Sequence, residues 1–204
     1  FINFNEVIYK IDFPFDIFFT CLCFLLLINA MNFADGINGL AGLIFTFFYL
    51  YMGLRIGIQI DLIIIIISCL IFFLFLNFKN LCFLGDSGVY LLSFLLSQII
   101  IISFKENYQT FLAEEIFILL FMPGFDLFRL FIDRIFQKKN PFKGDENHIH
   151  HLLNKKIGLS KTLFIYILCM STPIILYKIL EVNNFICILL CVLIYTLLLT
   201  YAKN

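Results

Sequence analysis

LIIIIISCLIFFLFLN, residues 62–77, carries no charged side chain, and only Ser68 and Asn77 interrupt its apolar character. A run of this kind predicts a membrane-spanning helix. Each helical residue rises about 1.5 Å, and a hydrocarbon core of about 30 Å needs roughly 20 apolar residues, with a range of about 17–25. Outward from it lie six comparable segments, at about 15–31, 40–54, 88–103, 112–135, 162–180 and 185–201. Several are short enough that flanking residues must complete the span. The fold expected is all-α, a polytopic transmembrane helix bundle of about seven transmembrane helices, forming a single integral-membrane domain over 1–204.

Composition agrees. Of the 204 residues 62% are hydrophobic and 14% charged, with a mean hydropathy of +1.02, against about 45–50% apolar and about 25% charged in soluble domains. An ordinary soluble domain is excluded. Fourteen Lys and Arg balance fourteen Asp and Glu, so net charge gives no reason to invoke nucleic acid. The seven cysteines lie mostly in apolar runs without a C-x-x-C pair, and read as small hydrophobes.

Cytoplasmic loops retain Lys and Arg. With the connector 137–161 on the cytoplasmic side, ten cations fall on or near that face and only Lys10, Arg55, Lys105 and Lys178 opposite. The turn at 31–39 and the loop 77–87 then share the face of 137–161. The fifth segment carries Asp126, Arg129, Asp133 and Arg134 after Pro123. Its opposite charges sit at i,i+3 and i,i+4 spacing, which suits either paired charges at a helix end or a helix entering a polar site.

Three polar constellations occupy the cytoplasmic face. The first is NAMNFADGINGLAG, 29–42, where Asn29 and Asn32 can share a helix face and Gly36 and Gly39 allow backbone close to a ligand. A turn with a helix cap is its simpler explanation. The second is FLGDSG, 83–88, where Asp86 could hold a hard cation through oxygen or merely start a helix. The third, NPFKGDENHIHHLL at 140–153, holds all three histidines amid lysines. Zinc is its obvious rival ligand, but no H-E-x-x-H and no clear fourth ligand occur. Anionic phosphate oxygens suit the loop better, and a solvated basic loop is the alternative.

In this order and on one face, these stretches, together with PGFDLFRLFIDR (123–134), resemble the polyprenyl-phosphate N-acetylhexosamine-1-phosphate transferases of glycosyl transferase family 4. The His-Ile-His-His ending looks like the branch that transfers GlcNAc-1-phosphate from UDP-GlcNAc to undecaprenyl phosphate. The resemblance implies a membrane enzyme that moves a sugar phosphate from a UDP-sugar donor to a polyprenyl phosphate acceptor and releases UMP, as the initiating step of cell-envelope polysaccharide synthesis. It implies Mg²⁺, with Mn²⁺ as a substitute, held by Asp86. Catalytic roles fall to Asp86, Asp35, His150 and His151. Substrate binding falls to Asn29, Asn32, Asn38, Asn77, Phe83 (stacking on uracil), Lys143, His148 and Arg134. The implied location is the bacterial cytoplasmic membrane with the site facing the cytoplasm, with a homodimer as a candidate assembly and no nucleic-acid partner.

Two departures from the family pattern stand out. Asn38 occupies a position where many members have an acid. The family's Asp-Asp pair, expected upstream of Asn29, does not occur in the 204 residues, nor do the first helices. The expectation is a C-terminal portion, inactive alone. A transporter would instead place charge near bilayer midplanes, and a non-catalytic assembly component would tolerate Asp86→Asn.

Overall fold

The computed structural model describes residues 2–4, 7–9, 11–55, 59–107, 111–140 and 146–204. The apolar segments expected from the sequence are all helices: α1 (Phe15–Ala34), α2 (Leu40–Arg55), α3 (Ile60–Phe78), α4 (Gly85–Glu106), α5 (Ala113–Phe136), α7 (Leu159–Ile179) and α8 (Asn184–Lys203). Two elements were not anticipated. A two-stranded antiparallel hairpin, β1 (Ile2–Phe4) and β2 (Val7–Tyr9), precedes α1. The nine-residue α6 (Ile149–Ile157) carries the histidines.

Among the described residues five helices, α1, α3, α4, α7 and α8, are long and apolar enough to cross a membrane. Large side chains on them face outward: Ile64, Ile65, Phe72 and Phe75 of α3 are each more than half exposed. Outward apolar side chains of this density suit lipid. The chain is a multi-pass membrane protein. The other two long helices differ for physical reasons. The 16 residues of α2 span only about 24 Å, and α5 carries several charges along its length.

The chain divides into two units, 1–116 and 117–204. In the first, α2 lies at the centre, packed on α3, α1 and α4. Its Leu40, Ile44, Phe45, Phe48, Tyr49 and Met52 are fully buried, which is where a helix apolar on all sides belongs. A Cβ on Gly42 would lie 2.8 Å from Leu74 and 3.0 Å from Phe73, so glycine here lets α2 approach α3 closely. At the far end of α2, Tyr51 and Arg55 both donate to the buried Glu115, Arg55 from 3.0 Å. That pairing offsets the cost of burying a carboxylate. In the second unit α6 packs against both α7 and α8, and Gly158, at φ +79°, turns α6 into α7.

Gly42→Val should separate α2 from α3 and cost about 1–3 kcal/mol, read as a lowered unfolding midpoint in detergent. Gly42→Ala should cost less, because the tips of Leu74 and Phe73 can rotate away. Equal midpoints for wild type and the valine variant would contradict this packing.

Candidate functional site

In the first unit, two loops that carry candidate residues are tied together by one amide. Asn77, buried near the end of α3, accepts from the Gly39 N–H at 2.6 Å and donates to the Cys82 carbonyl at 2.8 Å. Asn38 donates to Asn80 beside it. The second tie is Asp35, at the C-terminus of α1, whose Oδ2 accepts the Gly85 N–H at 3.0 Å. Asp35 thus caps α4 from another loop. Asp86 is not the cap of α4, as a helix start at FLGDSG would have it: Leu84 is the N-cap residue and Asp86 lies exposed within the first turn.

Burial raises the pKa of Asp35; the Gly85 N–H opposes the rise and the neighbouring Asp86 charge adds to it. Asp35 and Asp86 both offer carboxylate oxygens, the donor type Mg²⁺ takes, so the residue chemistry is compatible with that ion. Phe83, two residues before Gly85, is 73% exposed, leaving its ring open to stack on a planar group. Asn32 is half-buried, while Asn29 is exposed and its amide donates to the Leu25 carbonyl of its own helix at 2.7 Å.

In the second unit the organising group is Asp126 of α5, whose carboxylate is 5% exposed. Its Oδ1 accepts from Arg129 at 2.7 Å and from the Tyr195 hydroxyl of α8 at 2.9 Å. Its Oδ2 bonds His148 Nδ1 at 2.8 Å, and the Ile149 N–H reaches Oδ2 at 3.1 Å. Arg129 also donates to Tyr195 (2.9 Å) and to the Asn147 carbonyl (2.7 Å), and pairs more loosely with Asp133 at 3.6 Å. The i,i+3 and i,i+4 pairs expected on α5 are therefore both present.

Asp126, His148 and His150 place ligand atoms within 4.8 Å of one another, all buried. Both carboxylate oxygens already accept from cationic or N–H donors, so Asp126 serves as an acceptor within the protein and not as an open metal ligand. Rings of His148 and His150 stack at 5.4 Å, and His151 lies 4.4 Å from His150. Burial pulls the pKa of His150 down to about 3, with the His151 charge adding to the fall. At neutral pH His150 is uncharged and offers an anion no positive charge, whereas Arg and Lys side chains do. A cleft of about 380 Å³ supplies them: Arg129, Arg134, Lys139 and Lys203 line it against a single acid, Asp133.

The structure thus ties Asn38, Asn77 and Asp35 to the loop of Phe83 and Asp86, sets His148, His150 and His151 on α6, and puts Arg134 in the basic cleft. Lys143 lies outside the described residues. Asp126 and Arg129 drew notice as charges on α5 but not as partners of the histidines, and Tyr195 gave no signal inside an apolar helix.

A family model for glycosyl transferase family 4 matches residues 2–104, which is 103 of the 204. The chain belongs to that family. A relative from Thermotoga maritima, an undecaprenyl-phosphate alpha-N-acetylglucosaminyl 1-phosphate transferase, is 34% identical over 152 residues, covering 73% of this chain and 47% of the relative. A probable undecaprenyl-phosphate N-acetylglucosaminyl 1-phosphate transferase of Bacillus subtilis is 30% identical over 146 residues, 69% and 40% of the two chains. The Escherichia coli K12 undecaprenyl-phosphate alpha-N-acetylglucosaminyl 1-phosphate transferase is 26% identical over 164 residues, 76% and 45%. The chain spans about half the length of the curated relatives it matches. No solved structure matches it.

Asn77→Ala would orphan the buried Gly39 N–H and the Cys82 carbonyl, at about 2–3 kcal/mol. Thermal unfolding in detergent should show a midpoint lower by roughly 4–10 °C. An unchanged midpoint would mean that the two loops are held by something else.

Proposed function

We propose that this family 4 chain takes part in transferring an N-acetylhexosamine-1-phosphate, most simply GlcNAc-1-phosphate, from a UDP-sugar to polyprenyl phosphate. The observation that carries the reading is the pair of acids: Asp86 open to solvent on the first turn of α4, with Asp35 bonded to the adjacent Gly85 N–H. Relatives bearing that activity in their names lend it support.

In the reaction, an oxygen of the lipid phosphate attacks the phosphorus next to the sugar. The bond from that phosphorus to the bridging oxygen breaks, and UMP leaves with the electron pair. Such transfers proceed mainly by positioning and charge stabilisation. Mg²⁺, or Mn²⁺ in its place, would be held by Asp86 with Asp35 and would neutralise charge on the diphosphate. The chain's own contributions are an exposed Phe83 ring for the uracil face, Asn32 and Asn38 as amide partners for the nucleotide, and the basic cleft of Arg129, Arg134, Lys139 and Lys203 for anion attraction. The reading has the Lys- and Arg-rich loops in the cytoplasm and the helices in a bacterial cytoplasmic membrane, with the charge bias along the sequence as its support for orientation. A homodimer is compatible with this reading.

The test is UMP release by membranes expressing the complete reading frame, given UDP-GlcNAc, polyprenyl phosphate and Mg²⁺, with Asp86→Asn beside it. Expected is release that needs lipid phosphate and metal and falls at least about 10²-fold in the variant. Full turnover by Asp86→Asn would remove Asp86 from the mechanism. Release with a different UDP-sugar alone would move the donor, and release with none would defeat the transferase reading.

A further inference from the structure

The three histidines of α6 are not equivalent. His148 is 3% exposed and His150 1%, whereas His151 is only half-buried. Of the three, His151 is the imidazole that reaches the surface of the second unit. What orients it is less obvious, because α6 is nine residues long and so short a helix has little stability of its own. Its position must come from tertiary ties.

Those ties converge at its N-terminus on one carboxylate. His148, the N-cap residue, makes no side-chain cap bond to its own helix. Asp126 takes over that duty from α5, accepting the Ile149 N–H with both oxygens, at 3.1 and 3.3 Å. An anion at a helix N-terminus is favoured by the exposed amides and the helix dipole. The same carboxylate receives His148 Nδ1. Because a carboxylate only accepts, Nδ1 must carry the proton there. Arg129 holds the carboxylate from one side and the Asn147 carbonyl from the other, and Tyr195 adds a bond from α8. Rotation of α6 about its own axis would break the hydrogen bonds of the Ile149 N–H and His148 Nδ1 to Asp126 and the burial of Ile149 and Leu153 together.

We propose that Asp126 is a positioning residue: by capping α6 from α5 and holding His148 through Nδ1, it fixes the orientation of His151, the imidazole presented to ligand. Arg129 and Tyr195 hold the carboxylate in place. The activity arm of the test rests on the transferase reading; the spectroscopic arm does not.

The first arm is a double-mutant cycle on UMP release, with Asp126→Asn and His151→Ala alone and combined. Each single variant should lower kcat about 10²-fold with a much smaller change in KM for the UDP-sugar. The combination should be no worse than His151→Ala alone. Losses that multiply, or a wild-type kcat for Asp126→Asn, would overturn the proposal. If Asp126→Asn loses its thermal unfolding transition, the same cycle is run with Tyr195→Phe, which keeps the ion pair. A loss of several-fold that vanishes in the His151→Ala background supports the proposal, and one that persists there overturns it.

The second arm is isotope-labelled histidine NMR, with His148 assigned through His148→Gln. Wild type should show His148 protonated at Nδ1, and Asp126→Asn should mix the tautomers and shift the His151 signals. Signals unmoved by Asp126→Asn would overturn the proposal. A wild type inactive with every UDP-sugar defeats the transferase reading while this arm still decides the positioning role.

Discussion

Hydrocarbon offers no hydrogen-bond partner to a peptide group, and nearly everything in this molecule follows from that. Seven long segments close their backbone bonds internally as helices, and the candidate functional groups are displaced to where the helices end. Asp35 closes α1, Asn77 lies at the end of α3, Asp86 opens α4, and the histidines lie on a short helix outside the long ones. At helix ends, unpaired amides and carbonyls are available to be tied by side chains from other elements.

Both units use that opportunity in the same way. Asp35 caps α4 from the end of α1, and Asp126 caps α6 from within α5. In neither case does the helix supply its own cap. The consequence is that each candidate ligand-facing side chain, Asp86 in one unit and His151 in the other, sits within the first turn of a helix whose start is held by a distant acid. Asn77 applies the same principle with a neutral amide, spending donor and acceptor on two different loops. Charge is spent economically too. The buried His150 stays neutral, while cations line the cleft of the same unit.

Much of the fold was legible in the sequence because hydrophobic runs and their lengths are local properties. The helix over 62–77 extends only from Ile60 to Phe78 in the structure. The starts of α4 and α7 each fall three residues earlier than the apolar pattern indicated, since Gly85 to Ser87 and Leu159 to Lys161 are polar or mixed yet helical. Burial of α2 was not legible: its composition is that of a lipid-facing span, and only packing against three neighbours makes it a core helix. The hairpin before α1 and the nine-residue α6 were equally silent, being too short to generate a periodic signal.

The sequence by itself determined the class of the molecule, its seven long helices, the family to which its motifs belong and the short list of acids, amides and imidazoles that chemistry could use. Those follow from residue type and spacing along the chain. Tertiary structure alone decided which acid caps which helix, that His148 and His150 turn inward while His151 does not, and that Tyr195, unremarked within an apolar helix, bonds Asp126. These are contacts between residues from 22 to 69 positions apart. Local pattern carries no record of them, because they depend on how helices rotate against one another once packed.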